Sequence, residues 1–200
     1  MREFVLATGN KHKIEEIRAI LKDLPIKIIP LSDFPEFPHT IEDGQTLEEN
    51  AVKKAKEAAV FFKKWAIADD TGLEVEALNG APGVYSARYA GEPCSYDDNN
   101  KKLLKELSGL PKEKRKACFR CVIAIASPDG KIYTAEGKID GIINPSQSGA
   151  NGFGYDPIFF VEEYNKSFAE LSPSIKNQIS HRARALQNMK EKLNQLINML

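Results

Sequence analysis

Six consecutive residues, Thr8-Gly9-Asn10-Lys11-His12-Lys13, are of the types that hold an anion. They follow a short apolar run and feed the start of a helical pattern, where backbone N–H groups and the positive end of the helix dipole favour negative charge. Lys11 and Lys13 add to it, so phosphate is the guest this chemistry favours. The run matches neither G-x-x-x-x-G-K-[ST] nor G-x-G-x-x-G, which removes the main support for a kinase-type NTPase or a dinucleotide oxidoreductase. A polar turn capped by Thr or Asn accounts for the same residues and stays open at this point.

Asp69-Asp70 follow the short apolar run Trp65 to Ala68 and precede Thr71-Gly72. Ligands of α/β sheets collect outside strand ends, and adjacent carboxylates there repel unless a cation or proton neutralises them. Magnesium fits, because it takes hard oxygen ligands and leaves positions for substrate phosphates. Glu42, in Ile41-Glu42-Asp43-Gly44, is a candidate second carboxylate from a loop. The competing reading is that the two aspartates cap the Thr71-Gly72 turn.

Polar residues also interrupt two apolar helical rows. Leu47, Ala51, Lys54, Ala58, Phe61 contains a lysine with Asn50 beside it, and Ile175, Ile179, Arg182, Leu186, Met189, Leu193 contains an arginine. A buried charge without a partner is expensive, so each must meet an anion or border a polar cleft. For Lys54 the expectation is a structural pairing, with Glu49 or an acid of the metal site. For Arg182 a functional role is favoured, since His181 adjoins it and Lys176 precedes it by six residues. In Asn151-Gly152-Phe153-Gly154-Tyr155-Asp156-Pro157, glycines on both sides of Phe153 permit close approach of a ligand, and the ring could stack on a purine. The alternative is that Phe153 and Tyr155 plug the core.

The elements that must position these residues follow from periodicity and turn signals. A strand is expected over Glu3 to Ala7, then a helix carrying Ile14, Ile17, Ile20, Leu21 and Leu24. Pro30 to Pro38 reads as an irregular connection, and Thr46 with Glu49 as a capping box opening a helix to about Lys64. A short buried strand, Trp65 to Ala68, ends abruptly at the aspartates. A helix over about Asp97 to Leu107 precedes the basic run Pro111 to Lys116, expected to be solvated. Cys121 to Ala126 and Lys131 to Ala135 form a hairpin through Ser127-Pro128-Asp129-Gly130. A strand over Pro157 to Val161 and one long closing helix from Ser172-Pro173 complete the chain. Early alternation of strands and helices with a later hairpin predicts an α/β fold with a mixed sheet.

Composition narrows the classes. The 200 residues, 42% of them apolar, suffice for one core or for one domain divided by a cleft, and a single domain over 1–200 is the expectation. Lys plus Arg and Asp plus Glu each number 28, which gives no excess of charge to hold a nucleic acid or an anionic membrane. No stretch approaches the length that spans a bilayer or forms a signal-peptide core, so a cytosolic protein is expected. Cys118 and Cys121 are spaced as C-x-x-C but lie in an apolar strand pattern without a second ligand pair, which argues against zinc or redox work.

Together these segments resemble the inosine/xanthosine triphosphate pyrophosphatase family. The resemblance rests on ATGNKHK, EDGQTLEENAVKKA, IADDTGLEVEALNGAPGVYSARYAG, FGYDPIFF and SIKNQISHRARAL, spread in order over nearly the whole chain. It implies an elongated mixed sheet flanked by helices, with two lobes around a central nucleotide-binding cleft, usually in a homodimer. It implies hydrolysis of non-standard purine triphosphates, ITP, dITP and XTP, to the monophosphate and pyrophosphate with Mg2+. By the same resemblance Thr8, Gly9, Asn10, Lys11, His12 and Lys13 bind the triphosphate, Glu42 and Asp70 hold the metal, and Asp70 is the proton acceptor. Thr71 contacts substrate, Phe153, Gly154, Tyr155 and Asp156 form the base-side loop, and Lys176, His181 and Arg182 close over the nucleotide. Asp69, Glu49 and Lys54 also match, without an assigned role. A Maf-type pyrophosphatase with another base preference, or a catalytically silent nucleotide-binding protein, are the alternatives.

Overall fold

The computed structural model describes residues 2–199. Its elements are β1 (Arg2–Leu6), α1 (Lys11–Ile20), β2 (Ile26–Pro30), α2 (Leu47–Phe62), β3 (Trp65–Val75), β4 (Pro82–Gly83), α3 (Tyr96–Glu106), β5 (Lys116–Ala126), β6 (Ile132–Ile143), β7 (Phe159–Val161), β8 (Lys166–Ser167), α4 (Pro173–Ile179) and α5 (His181–Met199). Among the described residues the eight strands form one sheet in the order β2-β1-β3-β5-β6-β7-β8, with β4 pairing β3. β1 is parallel to β2 and β3, whereas β3–β4, β6–β7 and β7–β8 are antiparallel. This is the expected α/β class with a mixed sheet. No helix among the described residues is long and apolar enough to cross a membrane.

The chain divides into two compact units. The first holds the residues up to Asp70, Cys121–Gly137 and those from His181 on; the second holds Thr71–Arg120 and Lys138–Ser180. In the first, the alternate apolar residues Phe4, Leu6, Ile67, Ile123 and Ile125 of the strands meet Ile17 of α1 and Leu186, Met189 and Leu193 of α5. α1 starts where Asn10 accepts hydrogen bonds from the His12 and Lys13 amides, at 3.0 and 3.3 Å. α2 starts at the expected capping box: Thr46 Oγ1 accepts from the Glu49 amide at 3.1 Å and Glu49 Oε2 accepts from the Thr46 amide at 3.2 Å.

In the second unit the core is aromatic. Phe119, Phe159 and Phe168 pack with ring centroids 4.6 Å (Phe119–Phe159) and 5.1 Å (Phe159–Phe168) apart, against Leu73, Leu103, Leu107 and Ile143. Arg115 departs from the expectation of a solvated basic run. It is 5% exposed and donates to the carbonyls of Ile143, Leu107 and Asn144 at 2.6, 2.7 and 2.9 Å, so three acceptors satisfy the buried guanidinium.

Four further expectations are corrected. β3 does not stop at Asp69-Asp70 but runs on to Val75, since Leu73 and Glu74 pair with β4 and Gly72 takes no left-handed turn. The aspartates are therefore inside a strand, and partners must neutralise them there. The closing helix is two helices, because Ser180 is extended (φ −66°, ψ 160°) after its amide has capped α4 on the Lys176 carbonyl. Ile175 and Ile179 thus lie on α4, apart from the α5 row Arg182, Leu186, Met189, Leu193. β2 occupies Ile26–Pro30, where no element was foreseen ahead of the connection expected over Pro30 to Pro38, and β7 begins at Phe159 rather than Pro157.

The first turn of α5 is seated directly on β6. At Gly137 an added Cβ would lie 2.1 Å from the Ala185 nitrogen and 2.3 Å from the His181 carbonyl oxygen, both backbone atoms. Gly137→Ala must therefore push the helix off the sheet, and should lower unfolding stability by about 1–3 kcal/mol. Urea denaturation checks this; a midpoint equal to that of the parent protein would show that the close approach is not required.

Candidate active site

The first unit gathers most of the charged candidates. Asp69 is fully buried, and its Oδ2 receives Lys13 Nζ at 3.0 Å and the Nε and Nη2 of Arg182 at 3.3 and 3.1 Å. Arg182, itself 1% exposed, also donates through Nη1 to Glu16 on α1. Burial alone would raise the proton affinity of Asp69, but the Lys13 and Arg182 charges outweigh it and hold the carboxyl well below the ordinary range. One strand and two helices are thereby tied to one carboxylate.

Asp70 points to a different cation, as adjacent strand residues must. Its Oδ1 accepts from Lys54 Nζ at 2.8 Å, and the same ammonium donates to Glu42 Oε1 at 2.8 Å. The pairing expected for Lys54 is thus made with Glu42 and Asp70, the acids expected to hold the metal; Glu49 is occupied by its cap. Burial raises the proton affinity of Asp70 despite the attraction of Lys54 and Lys13. Burial would lower that of Lys54, but Asp70, Asp69 and Glu42 together raise it.

This geometry bears on magnesium. Oxygens of Glu42 and Asp70 converge on one positive charge at 2.8 Å each, so they lie no farther apart than twice that distance, on a loop and a strand that both face α2. Two hard carboxylate oxygens are what magnesium takes when phosphates and water complete its shell. Among the described residues no group of three or more His, Cys, Asp or Glu side chains could hold a metal, so an all-protein cage is absent from them. The residues fit a metal shared with substrate.

Thr8, Gly9 and Asn10 form the turn before α1, while Lys11, His12 and Lys13 are its first helical turn rather than loop. Thr8 Oγ1 accepts from the Asn10 amide at 3.2 Å, fixing the turn; Gly9, Lys11 and His12 are exposed. His181 opens α5 beside Arg182 and is 3% exposed. Thr71 follows Asp70 within β3 and is half-buried.

In the second unit the loop over residues 151–157 is built around Asp156, which is 2% exposed. Its Oδ2 accepts from the Phe153 amide at 2.8 Å and pairs with Lys176 Nζ, whose ammonium stands 4.8 Å from the Phe153 ring centre. Gly152 makes the turn at φ +73°, where a Cβ would strike Asp156. Phe153 is half-buried and Tyr96 of α3 lies 6.0 Å away ring to ring. Tyr155 instead fills the core, with its hydroxyl donating to the Ser86 carbonyl at 2.9 Å. Of the two readings of this loop, core plugging describes Tyr155, whereas Phe153 is half-buried with Lys176 and Tyr96 against its ring.

A model of the Ham1 family matches residues 4–192. The chain is 53% identical over 194 residues to the dITP/XTP pyrophosphatase of Desulforamulus reducens, covering 97% of this chain and 96% of that protein. It is 54% identical over 193 residues to the enzyme of the same name from Geobacter sulfurreducens, covering 96% and 97%. The chain belongs to the Ham1 family. Solved Ham1 proteins share its fold: that of Coxiella burnetii superposes with a TM-score of 0.88 at 42% identity over 98% of this chain and 100% of that one. That of Staphylococcus aureus gives 0.85 at 43% over 96% and 98%.

Sequence reasoning missed Glu16, Asn100 and Tyr96, and left Asp69 and Asn50 without a role. Asn100 donates to the Gly154 carbonyl at 3.0 Å. Glu16 sits in an amphipathic helix among other acids, and nothing local separates it from a solvated one. The signal available was the buried-charge argument applied to Arg182, which demands an anion but names none.

Asp69 supplies the test of this network. Because its carboxyl is held below the ordinary value of about 4, its stabilising contribution is present above that pH and lost as the pH falls below it. Asp69→Asn leaves the buried Arg182 and the half-buried Lys13 short of one counter-charge, and should cost about 3–5 kcal/mol at pH 7. It should also flatten the fall in stability below pH about 4, read by urea midpoints from acid to neutral pH. A parallel loss at every pH would separate Asp69 from acid unfolding.

Proposed function

We propose that this chain hydrolyses non-standard purine nucleoside triphosphates, ITP, dITP and XTP, to the monophosphate and pyrophosphate, clearing them before they enter DNA or RNA. The observation that carries the reading is the convergence of Glu42 and Asp70 on one cation, on a chain whose relatives bear the name dITP/XTP pyrophosphatase over almost their whole length.

Thr8 to Lys13 bind the triphosphate in this proposal, through the backbone of the turn, the α1 N-terminus and the Lys13 ammonium. Glu42 and Asp70 hold Mg2+, which when bound neutralises charge on the phosphates and the leaving pyrophosphate. Asp70 orients water for in-line attack at the α-phosphorus and accepts its proton. Lys54, already between the two carboxylates, and Thr71, next along β3, lie beside the reacting phosphate.

For the base, Phe153 offers a ring face, with Gly154, Tyr155 and Asp156 shaping the loop and Lys176 held by Asp156. His181 and Arg182 donate to O6 of hypoxanthine or xanthine, where adenine presents an amino group. Unpaired donors make the wrong base costly. Asp69 and Glu16 fix the guanidinium, so its orientation does not depend on the nucleotide. A cytoplasmic homodimer is part of the proposal, and sedimentation of the purified protein tests the assembly.

Pyrophosphate release from ITP, dITP, XTP, GTP, ATP and pyrimidine triphosphates, with and without Mg2+, tests the reading; the first three should be preferred and the metal required. Asp70→Asn should lower kcat by on the order of 10³-fold while nucleotide binding stays measurable. Normal turnover would remove Asp70 from the mechanism. Arg182→Ala should erode the preference for ITP over ATP, and an unchanged ratio of kcat/KM would exclude Arg182 from base choice.

A further inference from the structure

Asn50 lies in the row of α2 that packs inward and is 0% exposed. Around it are Leu47, Ala51 and Ala55, so an amide there would be costly unless both of its ends were satisfied. They are. Its Oδ1 accepts from the Gly44 amide at 2.8 Å, and its Nδ2 faces Asp70 Oδ2 at 3.4 Å. The orientation of the amide follows from its neighbours: Gly44 N can only donate, and a carboxylate can only accept.

Lys54, one helical turn after Asn50, takes Asp70 Oδ1, so the two oxygens of Asp70 are divided between residues i and i+4 of one helix face. Lys54 also takes Glu42, and Asn50 holds Gly44 two residues further along the same loop. The loop is pressed against α2 at Gly44, where an added Cβ would stand 2.6 Å from Asn50 Oδ1 and 2.8 Å from Glu49 Cβ. Asparagine offers an acceptor on one side and a donor on the other, which its near-isosteres aspartate and leucine do not. Aspartate would set a second carboxylate against Asp70, and leucine would leave the Gly44 amide without its acceptor.

We propose that Asn50 is a positioning residue that sets the separation of Glu42 and Asp70, by tying the Glu42 loop through Gly44 to the same amide that faces Asp70. The inference rests on the proposed role of those two carboxylates as metal ligands. It assigns Asn50 no contact with substrate. Its consequence falls on metal affinity, because two oxygens held at one spacing bind a small cation better than two that drift.

The probe is Mn2+ alone, titrated into the purified chain and followed by the resonance of the free ion. Asn50→Ala should weaken Mn2+ binding roughly tenfold, the lower end of what partners of metal ligands contribute. Metal-free binding of ITP, measured by calorimetry, should change less than about twofold, a split that general loosening of the fold would not produce. Gly44→Ala leaves α2 intact and attacks the same contact from the loop side, so it serves if Asn50→Ala does not fold. It should weaken Mn2+ equally, and the double variant should be no weaker than the poorer single one. Mn2+ affinity of either single variant within about twofold of the parent overturns the proposal. Glu42→Gln and Asp70→Asn separate the two layers of inference. If they too retain Mn2+, the metal-site reading itself fails; if they lose it while Asn50→Ala keeps it, only the role of Asn50 fails.

Discussion

Two adjacent carboxylates inside a strand are an electrostatic problem, and much of the first unit is organised around it. Asp69 and Asp70 alternate across β3, so their charges leave on opposite faces and require separate partners. Asp69 draws Lys13 from the first turn of α1 and Arg182 from the first turn of α5. Asp70 draws Lys54 from α2, and through it Glu42. Each partner comes from a different stretch of sequence, and the buried cations Arg182 and Lys54 each add a second acid, Glu16 and Glu42, to the aspartate they meet.

The two aspartates end up chemically unlike although they are neighbours. Asp69 faces two cations at full burial and is held ionised, a fixed counter-charge. Asp70 is also buried, but its attraction to Lys54 does not overcome desolvation, and its proton affinity rises. The difference follows from burial and from the cations each one meets rather than from residue type.

The second unit solves a related problem on a smaller scale. Asp156 is buried and is the common acceptor for Lys176 and for the Phe153 amide, so one carboxylate sets both the cation and the backbone of the aromatic loop. The ring of Phe153 is then placed by hydrogen bonding rather than by packing alone, with the ammonium of Lys176 against its face. Tyr155, two residues on, takes the core position with its hydroxyl satisfied on Ser86.

Local structure was legible from the chain alone: the capping box at Thr46 and Glu49, the turn at Ser127 to Gly130, and the mixed α/β class. These depend on neighbours three or four residues apart. That Lys54 and Arg182 needed anions was likewise readable from their apolar rows. Which anions they meet was not, because Asp69 and Arg182 are separated by 113 residues and Asn50 and Asp70 by 20. The extension of β3 through the aspartates and the break of the last helix at Ser180 were lost for the same reason. Charge neutralisation and strand pairing override local signals only once distant elements arrive, and that arrival is what tertiary structure decides.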